Sequence, residues 1–110
     1  MHKVCEFYKK IYLLSSRLPK KERFGIFQKI ENICLDILIL SNAAVLEKKI
    51  NKSALLNSSR IKTETLKKLI RMTFELNIID QKKYFYLELD LEEISKMANG
   101  WLKYLKENPR

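Results

Sequence analysis

The sequence predicts an all-α protein folded as an up-down-up-down antiparallel four-helix bundle. Three observations lead there. The 110 residues include Gly 2 and Pro 2, too few turn-formers for a β-sandwich, tight hairpins or phosphate-cradling loops. Apolar residues recur at three- and four-residue spacing in four stretches, the period of an amphipathic helix. Short polar or proline-bearing connections separate these stretches, which returns each helix antiparallel to the one before. Residues 1–110 read as a single four-helix bundle domain, without internal repeat, low-complexity segment or linker.

The first helix is expected over about residues 3–16, with Val4, Phe7, Tyr8, Ile11, Ser15 and Leu18 on one face. Pro19 disfavours the α region for Leu18 and suits the first turn of a helix, so residues 16–19 form a tight connection. The second helix is expected over about 20–49, a length of roughly 45 Å. Phe27, Ile30, Cys34, Ile37, Ser41 and Ala44 form its stripe, and Ile26, Ile33 and Leu40 run beside it. Between Ile33 and Leu46 it is apolar around most of its circumference, more than one bundle core covers, so a subunit interface is expected there. Gly25 marks a weak point or a close helix approach.

Asn51-Lys52-Ser53 reads as the next connection, with Ser53 as N-cap, and the third helix follows over about 54–76. Its inner face is Leu55, Leu56, Ser59, Thr63, Leu66, Leu69, Ile70, Thr73 and Phe74, small and polar in the first half and so expected to pack loosely there. Residues 77–80 turn the chain, and Asp80 caps a fourth helix over about 81–106. Tyr84, Leu87, Leu91, Ile94, Ala98, Trp101 and Leu105 keep heptad spacing along it. The seam continues past Gly100, which is therefore mid-helix and expected to admit a close neighbour beside Trp101. Asn108-Pro109-Arg110 reads as a frayed end.

The composition argues against catalysis and for a polyanionic partner. His2 is the only histidine and sits at a terminus expected to be mobile, which removes the usual general base and any Ser-His-Asp or Cys-His arrangement. Glu88, Glu92 and Glu93 lack the Glu-x-x-His motifs of a di-iron bundle and read as a solvated acidic face. Cys5 and Cys34 lie on apolar helical positions without CxxC spacing, so no metal site and no cofactor is expected. The N-terminus has no signal-peptide pattern, and the longest apolar run, 33–46, is too short and too polar to span a bilayer. A cytoplasmic protein without membrane attachment is expected.

The formal net charge of +9 falls entirely within residues 1–77, while residues 78–110 are neutral. Arg60, Lys67 and Arg71 recur at seven- and four-residue spacing on the third helix and form an outward basic stripe, with Lys68 adjacent. Lys20, Lys21 and Arg23 open the second helix, where cations oppose the macrodipole and local stability does not explain them. Both groups are candidate polyanion sites, the first set ahead of the second. Most of the aromatic residues lie on core stripes, whereas Tyr12 and Tyr86 fall off them and are expected to be exposed.

Three stretches together carry a family likeness: Leu18-Pro19-Lys20-Lys21-Glu22-Arg23-Phe24-Gly25, the run from Lys29 to Leu38, and Ala98-Asn99-Gly100-Trp101-Leu102-Lys103. In these the chain resembles the accessory variability determinant (Avd) proteins of diversity-generating retroelements, over nearly its whole length. The resemblance implies a four-helix bundle assembled as a homopentameric barrel, without catalytic activity of its own. It implies binding to the element's reverse transcriptase and, through a basic surface, to template RNA or cDNA during mutagenic homing. The family carries basic residues four apart in a Leu-Arg-x-x-Leu-Arg-like run, which Leu66-Lys67-Lys68-Leu69-Ile70-Arg71 matches at Lys67 and Arg71. Lysine at 67 departs from the arginine pattern and lacks its bidentate phosphate geometry.

Two alternatives stand beside this reading. The four-helix proteins encoded in intervening sequences of 23S ribosomal RNA genes share the Pro-Lys-x-Glu-Arg-x-Gly pattern at residues 19–25, but fit less well at Gln28–Glu31 and Ser41–Ala44. A structural protein-interaction module would use its charge for solubility alone and would bind no nucleic acid.

Overall fold

Each amphipathic stretch is helical in the structure, a computed structural model that describes residues 2–107. The elements are α1 (His2–Ser15), α2 (Lys20–Arg23), α3 (Ile26–Leu46), α4 (Lys49–Glu75) and α5 (Gln81–Glu107). The four long helices form an antiparallel bundle in which α1 and α4 each pack on both α3 and α5. The expected frayed end at residues 108–110 lies outside the described residues.

The helix expected over 20–49 is instead two. Phe24 N–H bonds back to the Lys20 carbonyl and closes α2 after one turn, and Lys29 N–H bonds to the Gly25 carbonyl to begin α3. Between them Gly25 has non-helical dihedrals, φ −100° and ψ −111°. A Cβ built there would lie 2.6 Å from the Lys21 carbonyl oxygen, so a side chain cannot be accommodated at this break without moving backbone. Because α2 is a single turn, the macrodipole argument against Lys20, Lys21 and Arg23 carries little weight.

The next connection also lies earlier than expected. Glu47 and Lys48 make the turn, and Asn51, Lys52 and Ser53 belong to α4, so Ser53 is not an N-cap. Asn51 donates its side-chain amide to the Glu47 carboxylate at 3.1 Å, which turns an apparent loop residue into part of the helix start. Lys49 and Lys52 lie over the rings of Tyr104 and Trp101, which docks the beginning of α4 on the end of α5. The turn after α4 matches expectation. Asn77 is left-handed (φ 61°), Ile78 N–H bonds to the Thr73 carbonyl, and Asn77 N–H to the Phe74 carbonyl. Asp80 then caps α5, its carboxylate accepting the Lys83 N–H at 2.8 Å.

The core follows the stripes. Phe7, Ile11, Phe27, Ile30, Ile37, Leu66, Ile70 and Leu91 are fully buried in one large cluster. A smaller cluster of Ala44, Leu56 and Leu105 closes the other end. Between them lies a cavity of about 160 Å³ bounded by Val4, Ile37, Ser41, Ser59, Ile94 and Met97, where α4 has the small polar face that predicted loose packing. At 1.5 Å per residue α1 spans roughly 21 Å and α4 and α5 roughly 40 Å, so α1 leaves one end of the bundle as three helices. Leu35, Ile39, Val45 and Leu46 of the apolar segment stay exposed, Leu46 at 87%. Tyr12 and Tyr86 are exposed as expected.

Gly100 is mid-helix, but no helix approaches it. It is exposed, and a Cβ there would meet nothing within 4 Å. The two glycines therefore predict opposite responses to the same change. Gly25→Ala should lower stability by about 1–3 kcal/mol through the backbone clash, and Gly100→Ala should raise it by roughly 0.5–1 kcal/mol through helix propensity. Thermal and urea unfolding of the two variants checks this, and a Gly25→Ala protein as stable as the parent would contradict the break described here.

Candidate nucleic-acid interface

The six candidate cations do not form one surface. Lys67 and Arg71 lie along the seam between α4 and α5, whereas α2 carries Lys20, Lys21 and Arg23 against α3 on the other side of the bundle. Lys67 is half-buried and held by two carboxylates, Glu92 of α5 at 3.1 Å and Glu64 at 3.3 Å. Burial alone would lower its pKa, and the bonds from Glu92 and Glu64 outweigh that and raise it. Arg71 pairs with Glu75 at 3.5 Å and reaches the Tyr84 hydroxyl at 3.5 Å. Arg60 donates two hydrogen bonds to the Asn57 side chain, at 2.8 and 3.2 Å. The α4 stripe is thus engaged within the protein.

Three further lysines are paired across helices. Lys62 of α4 reaches Asp36 of α3 at 3.4 Å. Lys3 and Lys10, seven residues apart on one side of α1, both bind Asp90 of α5, at 3.1 and 2.7 Å. Lys3 also meets Glu93 at 3.3 Å. Glu92 and Glu93, read from the sequence as a solvated face, are exposed and also partner Lys67 and Lys3. Asp90 is buried, 6% exposed, and sequence reasoning missed it. The signal was the spacing of Lys3 and Lys10, two turns apart and flanking the Phe7 stripe, which calls for an acid on the facing helix.

Lysines without a carboxylate partner among the described residues remain exposed along the helices, at Lys9, Lys29, Lys68 and Lys96, and are grouped at the two ends of a molecule 49 Å long. Arg17, Lys20, Lys21, Lys82 and Lys83 have no carboxylate partner among the described residues and lie where α1 ends and α5 begins. Lys48, Lys103 and Lys106 likewise lack a carboxylate partner at the opposite end. Arg23 stacks on the Phe24 ring at 5.3 Å, and its Nε is buried without a hydrogen-bond partner.

His2 opens α1 and contacts Glu6 at 2.6 Å, with its side chain exposed. Both cysteines are free thiols, and burial pushes the Cys34 thiol up to about 12, far from a reactive thiolate. Among the described residues no group of His, Cys, Asp and Glu could hold a metal ion, and no helix is long and apolar enough to cross a membrane.

These features define a basic helical-bundle protein with unpaired cations grouped at both ends and scattered between them. The family model described as bAvd-like matches residues 1–105, and the chain belongs to that family. No curated protein and no solved structure matches it.

The Asp90 clamp predicts alkaline behaviour. Lys3 has a raised pKa, from the Asp90 bond first and Glu93 second, and for Lys10 the bonds to Asp90 and Tyr86 outweigh burial. Charge on these lysines favours the folded state, so their contribution is full below the ordinary lysine value of 10.5 and lost as pH rises through the raised values. Asp90→Asn should cost about 1.5–3 kcal/mol at neutral pH and flatten the loss of stability above that value. Urea unfolding across the alkaline range checks both, and an unchanged slope in the variant would contradict the assignment.

Proposed function

We propose that this protein is a non-catalytic accessory factor of a diversity-generating retroelement, binding the element's reverse transcriptase and its template RNA or cDNA to support mutagenic homing. Membership of the bAvd-like family over residues 1–105 is the observation that carries this reading. The arrangement of charge and apolar surface supports it. Exposed Leu35, Ile39, Val45 and Leu46 on α3 give a surface that association would bury, in keeping with the five-chain barrel the resemblance implies. Copies of one basic end would then add into a multivalent polyanion site.

Within that role the two sets of cations divide. Lys20 and Lys21 are exposed and unpartnered, and nucleic acid can neutralise them without disturbing the fold. Using Lys67 would require releasing it from Glu64 and Glu92, and reversing its charge would place three acids together. Lys67, Arg71 and Arg60 therefore serve better at a surface shared with the reverse transcriptase, whose own groups can replace those partners.

The test combines light scattering with binding of a short RNA–DNA hybrid over a salt series. A mass near five chains is expected, with log affinity falling linearly against log salt by about 0.9 per phosphate contact. Lys20→Glu/Lys21→Glu should shallow that slope and weaken binding for all sequences alike while the mass stays the same. A monomer indifferent to nucleic acid at low salt would overturn the proposal in favour of a structural module.

A further inference from the structure

A second feature at the basic end is built differently from a charged surface. The groove between α1 and α3, closed by α2, holds a cavity of about 240 Å³ lined by Tyr12, Ser15, Arg23, Phe24, Gln28 and Glu31. Two of its groups lack partners. Arg23 Nε is buried without an acceptor, and the Glu31 carboxylate has neither cation nor hydrogen-bond donor among the described residues. Although both line the cavity, they form no ion pair with each other. The fold gains nothing from the Glu31 charge: burial raises the pKa of this carboxyl, so ionising it works against folding.

The cavity thus offers the Arg23 guanidinium, which pairs with no carboxylate, an acceptor at Glu31 that the protein leaves unmatched, an amide at Gln28, and two aromatic rings at its mouth. Tyr12 and Phe24 are 58% and 62% exposed, and the Arg23 guanidinium steadies the Phe24 ring from one side. A ligand that fits is flat, stacks on an aromatic ring, and carries an amine beside a ring or carbonyl acceptor. A simple anion does not fit, because Glu31 would repel it. Lys20 and Lys21 stand one turn or less from Arg23, and Lys9 lies one turn from Tyr12, all exposed and without carboxylate partners among the described residues. Phosphates on either side of the inserted group would meet these cations.

We infer that the α1–α2–α3 pocket receives one unstacked nucleobase bearing an exocyclic amine from a single strand of RNA or DNA, with Glu31 accepting from the amine, Arg23 donating to the adjacent acceptor, and Tyr12 or Phe24 stacking on the ring. This rests on the nucleic-acid arm of the function proposed above. Cytosine matches the pair, with its N4 amine next to N3. Uracil inverts it, placing O4 against the carboxylate, and thymine does the same in DNA.

The test is fluorescence anisotropy of the full chain with labelled oligocytidylate and oligouridylate of equal length, and with their DNA counterparts, at one low salt concentration. The cytosine strands should bind roughly five- to a hundredfold more tightly than the uracil or thymine strands. Glu31→Gln removes a charge that the fold does not pair, so it is expected to fold, and it should bring the cytosine strand down to the affinity of the uracil strand. Tyr12→Ala, an exposed position, should weaken both strands about fivefold or more. Lys20→Glu/Lys21→Glu should weaken both without changing their ratio. Equal affinity for the two strands in the parent, unmoved by Glu31→Gln and Tyr12→Ala, would overturn the pocket while leaving charge-driven binding in place. Failure of every strand to bind would remove both.

Discussion

A helix of 14 residues lying on neighbours of 21 and 27 needs something to fix where along them it sits, and apolar contacts alone allow it to slide by a turn. Asp90 supplies the constraint. It is buried on α5 and engages Lys3 and Lys10, two turns apart on α1, so a shift of one turn would strand the carboxylate. Fixing α1 in this way fixes the rest. Phe7 and Ile11 meet Phe27 and Ile30, and the end of α1 is set against α2 to make the groove that holds Arg23 and Glu31. The other end of the bundle is left to α3, α4 and α5, which close it with Ala44, Leu56 and Leu105.

The same pairing explains where the protein can use its charge. A basic stripe read along one helix looks available because the eye sees only that helix. In the folded bundle the neutral last quarter of the chain, α5, brings Asp90, Glu92 and Glu93 against Lys3, Lys10 and Lys67. Short-range pairs thus engage Lys3, Lys10, Lys62 and Lys67, while Lys9, Lys68 and Lys96 stay exposed between them. The ends of the helices, where elements separate and no carboxylate faces the lysines, keep theirs unpaired as well. A polyanion approaching this surface meets unpaired cations grouped at both ends and single lysines between them.

Much of the fold was legible in the sequence because it depends on periodicity. The stripes Val4–Phe7–Ile11, Phe27–Ile30–Cys34–Ile37 and Leu87–Leu91–Ile94 are buried as their spacing requires, and Asp80 caps α5 as its position before the apolar run requires. What escaped depends on contacts of individual groups, local or between helices, that periodicity does not carry. The break at Gly25 is set by the Lys21 carbonyl, and the helical state of Asn51 by its bond to Glu47. Of the candidate site, residue identities could be read but not their partners. Lys67 carries the expected position on the expected helix, and only the register of α5 shows that Glu92 already occupies it. The pocket at Arg23 and Glu31 was not legible at all, since it needs α1, the short α2 and α3 to meet at one point.

Lys67 and Lys10 are held in the bundle's own ion pairs, while Lys20 and Lys21 are left exposed without a carboxylate partner. Lysine-selective acetylation read by mass spectrometry, on the free protein and with an RNA–DNA hybrid bound, tests this division residue by residue. Lys20 and Lys21 should react readily in the free protein and be protected by the hybrid, while Lys67 and Lys10 react slowly in both states. Fast acetylation of Lys67 in the free protein, with protection there and none at Lys20 and Lys21 in the complex, would contradict the account.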